Sequence, residues 1–98
     1  MAATVIVDGT FHIPSPATVI NTGTITGYNG IGVITNNGTI TNNDTITNAG
    51  MITNFGTITN NSYLTNFGTI TNNGTIVNTA GAMFNDFGMF TGDAPITI

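Results

Sequence analysis

The residues able to do acid, base or metal chemistry are few in this chain, and their spacing keeps them apart. His12 is the one histidine, with Phe11 and Ile13 beside it. A general base or a metal ligand needs a partner and a pocket. Neither is visible near His12, so a structural or solvent-exposed ring is expected. The charged side chains are Asp8, Asp44, Asp86 and Asp93. Calcium takes several oxygen ligands from clustered carboxylates, but these four are scattered and the Asp-rich nonapeptide calcium repeat is absent. Asp44 and Asp86 read as turn residues. Asn37-Gly38-Thr39, Asn43-Asp44-Thr45, Asn60-Asn61-Ser62 and Asn73-Gly74-Thr75 match the glycosylation acceptor pattern, which this repetitive sequence generates by itself. No nucleophile motif, phosphate loop or pair of catalytic carboxylates occurs. The expectation is no metal, no cofactor and no enzymatic activity.

The chemistry that remains is that of surfaces. One candidate is a set of hydroxyls on Thr45, Thr47, Thr57, Thr59, Thr69 and Thr71. The other is a set of apolar side chains, Met51, Phe55, Tyr63, Phe67, Phe87 and Met89. Both sets lie in or beside one repeat. From Gly38 to Asn78 the chain reads as seven consecutive hexads of the form G-T-I-T-N-x. Position one is Gly in five of the seven, with Asp44 and Ser62 as exceptions. Position three is always Ile or Leu, and position five is always Asn. A short fixed period with one apolar residue per unit is the signature of a solenoid.

Alternate residues of a strand face opposite sides. Gly, Ile and Asn therefore share one face and the two Thr share the other. Ile is the consistently apolar position and must be inward, which sends Thr outward. Thr-Ile-Thr reads as the strand and Asn-x-Gly as the corner, where Asn and Gly tolerate left-handed backbone. Coils stacked about 4.8 Å apart place each Asn over its equivalent, so that the amides pair along the stack. The fold expected is all-β, a single-stranded β-solenoid with six-residue sides. Residues 50–61 nearly repeat as 62–73, which favours two sides and twelve residues per coil. The alternative is three sides and eighteen residues. In the two-sided arrangement the six threonines named above share one face, Met51 lies over Tyr63, and Phe55 lies over Phe67.

The period degrades at both ends. Residues 1–16 read as an N-terminal cap, with Val7 and Ile13 at the inward position by counting back in sixes. Residues 17–79 form the solenoid, interrupted by a bulged corner at Tyr28 to Ile31. Residues 80–98 read as a C-terminal cap, with Phe84, Phe90 and Ile96 turned inward as a plug.

Composition narrows the partners. The chain has neither Lys nor Arg, and binding nucleic acid requires cations that displace counterions from phosphate. An anionic membrane surface is excluded on the same ground. No apolar run approaches the roughly 18 residues that span a bilayer. Cysteine is absent, so no disulfide or thiolate site exists. The N-terminal residues lack the basic segment of a secretory signal. The lack of sites for trypsin-like proteases suits an exposed material, and the expected location is extracellular or a cell, spore or virion surface.

The G-T-I-x-N-x-G-T-I tandem pattern over residues 17–79 resembles passenger regions of bacterial haemagglutinin-type adhesins and autotransporters, which implies a β-helix and a surface role. The Thr-Ile-Thr triplets resemble the Thr-x-Thr arrays of insect ice-binding solenoids, which implies an ice surface as ligand. Three functions follow as expectations. The first is a self-associating structural subunit of a fibre, appendage or layer, with Met51 and Tyr63 as the lateral contact. The second is ice binding through the threonines, spaced about 6.7 Å along the strand and about 4.8 Å between coils. The third is a glycan-binding surface module that uses Tyr63 and the Asn corners.

Overall fold

The computed structural model describes residues 4–28 and 30–98. Residues 1–3 of the expected cap and Asn29 of the expected bulged corner lie outside the described residues. The β-branched Thr and Ile of each hexad suit a pleated strand. They give strands of four residues, three to a coil, stacked in five coils. The first coil comprises β1 (Thr4–Val7), β2 (Thr10–Ile13) and β3 (Thr18–Asn21). The second comprises β4 (Thr24–Gly27), β5 (Val33–Asn36) and β6 (Thr39–Asn42). The third holds β7 (Thr45–Asn48), β8 (Met51–Asn54) and β9 (Thr57–Asn60). The fourth holds β10 (Tyr63–Asn66), β11 (Thr69–Asn72) and β12 (Thr75–Asn78). The last holds β13 (Met83–Asp86), β14 (Met89–Gly92) and β15 (Ile96–Thr97).

These strands form three parallel five-stranded sheets, one per side of a triangular prism. The first face runs β1-β4-β7-β10-β13, the second β2-β5-β8-β11-β14, and the third β3-β6-β9-β12-β15. The all-β solenoid is thus as expected, with three sides per coil instead of the favoured two. Ladder partners in the regular coils are 18 residues apart. The physical reason is the corner. Two residues join the strands at a regular corner, and turning at three such corners closes each coil around a single cluster of inward aliphatic side chains. The near-repeat of 50–61 in 62–73 therefore spans two sides of a coil and is not a full turn.

The core is a stack of aliphatic side chains. Ile25, Ile34, Ile40, Ile46, Ile52, Ile58, Leu64, Ile70 and Ile76 are buried inside the prism. Burying one such side chain contributes roughly 1.5–3 kcal/mol. Asn is the last strand residue and not the first of the corner. Its side chain is inward, and nine Asn side chains are buried. Three ladders run through the middle coils of the stack, one on each face. Asn36 Nδ2 donates to Asn54 Oδ1 at 2.8 Å, and Asn54 Nδ2 to Asn72 Oδ1 at 2.9 Å. Asn42 Nδ2 donates to Asn60 Oδ1, and Asn60 Nδ2 to Asn78 Oδ1, both at 2.8 Å. From Asn21 to Asn66 each ladder amide also bonds the carbonyl two residues on and one in the following coil, as Asn54 does to Gly56 and Thr75. Buried polar groups need such partners. Here the ladder amides meet one another and also tie down the corners.

The corner glycines have a different reason from the one expected. Among the described residues, only Gly30, Gly81 and Gly92 have positive φ. At Gly56 a Cβ would stand 2.1 Å from the Gly38 carbonyl oxygen, and at Gly68 2.1 Å from that of Gly50. Close approach of stacked corners, not left-handed backbone, demands glycine there. Asp44 and Ser62 fall together at the corner between the third and first faces, one coil apart.

The ends differ from expectation in register. Val7 and Ile13 align with Gly27 and Asn36, so they fill the ladder position. Both are buried inward as expected, while Val5 and Phe11 take the level of the stacked Ile side chains. Phe84 and Phe90 stack inward on Leu64 and Ile70 and meet edge-to-face at 5.9 Å. Ile96 aligns with Val77 and faces out, because the corner before β15 is one residue shorter than the regular corners; Pro95 lies at the inward level. Besides the four-residue corner at 14–17, larger corners at 28–32 and 79–82 sit where the hexad period breaks. Ile31 N–H donates to Tyr28 C=O, and Ala82 N–H to Thr79 C=O. Gly30 and Gly81, with φ of 73° and 83°, occupy the third position of these turns, which requires positive φ.

Candidate functional site

The groups able to do acid–base chemistry are separated by the prism. His12 is outward on β2, and its Nε2 lies 3.0 Å from Asn37 Nδ2 in the next coil. Asp8 is at the first corner and Asp93 follows β14. Asp44 Oδ1 accepts from Thr45 Oγ1 at 2.9 Å. Asp86 stands in a ladder position and accepts from Asn66 Nδ2 at 2.8 Å and from Gly88 N–H at 3.2 Å. A carboxylate can accept but not donate onward, so Asp86 ends its ladder. Among the described residues, no group of three or more His, Cys, Asp or Glu is placed to hold a metal ion.

The threonines expected on one plane are divided two to a face. Thr45 and Thr47 lie on the first face, Thr69 and Thr71 on the second, and Thr57 and Thr59 on the third. The third side of the coil separates them. Different grids result. Thr39 and Thr41 stack on Thr57 and Thr59, and Thr24 and Thr26 stack on Thr45 and Thr47. Each grid is two coils deep and ends at an apolar outward residue, Val77 in one and Tyr63 in the other.

The apolar candidates are rearranged more usefully. Met51 and Tyr63, expected as one contact, are on the second and first faces respectively. Phe55 is alone at the corner between the second and third faces. Phe67 and Phe87 come together at the corner between the first and second faces. Their rings are stacked at 5.5 Å with 16° between planes. Met51 and Met89 occupy the adjoining outward column of the second face, with Thr69 between them. Tyr28, Ile31 and Val33, absent from the sequence-derived set, extend the same edge into the second coil. The result is one apolar seam along a single edge, with Phe87 71% exposed and Phe67 58%. The corner between the third and first faces is polar by contrast, and there Asn61 Nδ2 donates to Asn43 Oδ1 at 2.9 Å. A coil period of eighteen, read from Asp44 with Ser62 and from Asn43 with Asn61, locates the seam once two extra residues are assigned to the corner at 79–82.

Both ends of the prism carry shallow clefts. One of about 210 Å³ is bounded by residues 5–11, and one of about 440 Å³ lies over Asn78 between Phe84 and Pro95. The clefts are open and lack convergent charged groups. In comparisons with known proteins the chain matches no family model, no curated protein and no solved structure.

Proposed function

We propose that this chain is a non-enzymatic structural module that associates with copies of itself, as a subunit of a fibre, appendage or surface layer. The observation that carries this reading is the seam. Met51, Phe67, Phe87 and Met89, with Tyr28 and Ile31, gather on one edge, whereas the other exposed apolar side chains, among them Ile20, Phe55, Tyr63 and Met83, are spread over other parts of the prism. A contiguous exposed apolar strip rimmed by polar residues is characteristic of an interaction site. None of the seam side chains is charged, so no like-charge repulsion within the seam opposes its burial against a second copy. The scattered aspartates and lone histidine support a non-catalytic role. The hexad likeness to haemagglutinin-type passengers and the absence of tryptic sites support an exposed, extracellular or particle-surface location. The test is sedimentation over a rising concentration series, with electron microscopy of the concentrated protein. Oligomers or filaments are the expected result. A monomer throughout the series would overturn the reading.

A further inference from the structure

We propose that copies of this chain stack head to tail, the last coil of one docking in register on the first coil of the next. The proposal rests on the self-association reading and places that association on the ends of the prism, which the seam reaches at Phe87 and Met89.

The edge strands of all three sheets belong to the first and last coils. These are β1, β2 and β3 at one end and β13, β14 and β15 at the other. A strand edge offers a row of N–H and C=O groups that template another strand, and proteins normally blunt it with Lys, Pro or a bulge. No charge and no proline interrupts β1, β2 or β3. Three such edges arranged as a triangle, all of one direction, fit a triangle of parallel edges with the same side length. The last coil of another copy offers four-residue edges on β13 and β14 and a two-residue edge on β15, where Pro95 shortens the third side.

The core layers agree with this. Val5, Phe11 and Val19 form the inward layer of the first coil, yet none of them reaches the burial of the Ile stack; Val5 is 46% exposed. Phe84, Phe90 and Pro95 form the corresponding layer of the last coil and are half-buried. In the stacked arrangement each incomplete layer covers the other. The third ladder also continues. Asn42 and Asn60 Oδ1 each accept an amide from the preceding coil. Asn21 Oδ1 receives only the Gly23 N–H. Thr97 aligns with Asn78 in the ladder position of the last coil, so its hydroxyl from the neighbouring copy is placed to donate to Asn21 Oδ1.

One contact opposes the junction. Val7 and Asp8 of one copy come over Asp86 and Phe87 of the other, which brings two carboxylates together. Stacking is therefore promoted by salt, which screens like charges, and by Asp8→Asn.

The chain has no cysteine, so a disulfide can report the junction. Thr10 and Met89 are the first outward residues of β2 and β14 on the same face, and both are exposed. In the stack they come roughly 4.8 Å apart between copies, within the range of about 4.4–6.8 Å that a disulfide bridges. Within one molecule they are separated by four coil spacings, about 19 Å. The double variant Thr10→Cys/Met89→Cys, oxidised after assembly, is expected to give a ladder of covalent multimers on a non-reducing gel. Each single variant gives no species beyond a covalent dimer. Assembly seen by sedimentation without a covalent ladder would overturn head-to-tail stacking and leave self-association standing. A double variant that stays monomeric at every concentration and salt level, with the native chain also monomeric, would overturn both.

Discussion

Asn48 donates from Nδ2 to Asn66 Oδ1 at 2.9 Å, while its own Oδ1, buried against the backbone of Gly27, accepts no hydrogen bond. Asn48 heads its ladder because Gly27 stands where another Asn would be. A buried acceptor without a partner costs about 1–3 kcal/mol.

Gly27→Asn is therefore expected to stabilise the chain. A Cβ at Gly27 would lie 2.7 Å from Asn48 Oδ1, the end of a side chain that can shift into the spacing of the other ladders. The new amide donates to that oxygen, and replacing glycine reduces unfolded-state entropy. The expected gain is about 0.5–1.5 kcal/mol, read as a higher urea midpoint. A lower midpoint would show that Asn48 cannot move.

Asn54→Ala and Asn48→Ala test the same accounting from the other side. Asn54 bonds on both sides along its ladder, so its removal leaves two ladder partners short and is expected to cost about 2–4 kcal/mol. Asn48→Ala also deletes an oxygen that was already unpaired and should cost less by about 1 kcal/mol. Equal costs in denaturant titrations would mean that the orphaned oxygen carries no penalty.

Corner glycines divide by position. Gly56→Ala forces a Cβ to within 2.1 Å of a backbone oxygen and is expected to cost about 3 kcal/mol or more. Ser62→Ala at the equivalent hexad position should lie within about 0.5 kcal/mol of the native chain. Thermal melts followed by circular dichroism distinguish the two.

Phe67→Ser combined with Phe87→Ser removes the stacked pair from the seam. Both residues are exposed, so the melting transition is expected to change little. Lateral association in sedimentation should fall at least tenfold in apparent affinity, and a native association profile would remove the seam from the assembly.

Much of the interior was legible from the hexad alone. The period of two within each strand turned Ile and Asn inward and Thr outward. Stacking then required the Asn side chains to pair along the axis. The number of sides was not legible, because a six-residue side carries no record of how many sides close a coil. The near-repeat of Met51 to Asn61 as Tyr63 to Asn73 pointed to two. Asp44 and Ser62, the two departures from glycine, mark the true period, since both stack on the corner that tolerates a side chain. The seam was hidden for the same reason. Phe67 meets Phe87, and not Phe55, only when the coil has three sides and the extra residues at Thr79 to Ala82 are absorbed in a corner.

The separation between an invariant interior and a variable exterior has an evolutionary consequence. Every side presents the same Ile and Asn to the centre, so a duplicated pair of hexads re-enters the stack with its interior intact and its outer residues on a different face. Residues 50–61 and 62–73 stand in that relation. Met51 is displayed on the second face and its counterpart Tyr63 on the first. The one corner residue that differs between the two copies, Gly50 against Ser62, differs at the corner that accepts a side chain. Slippage during replication of such a sequence redraws the outer surface while leaving the protein able to fold, so new surface patterns can arise from copying errors of whole sides as well as from point changes.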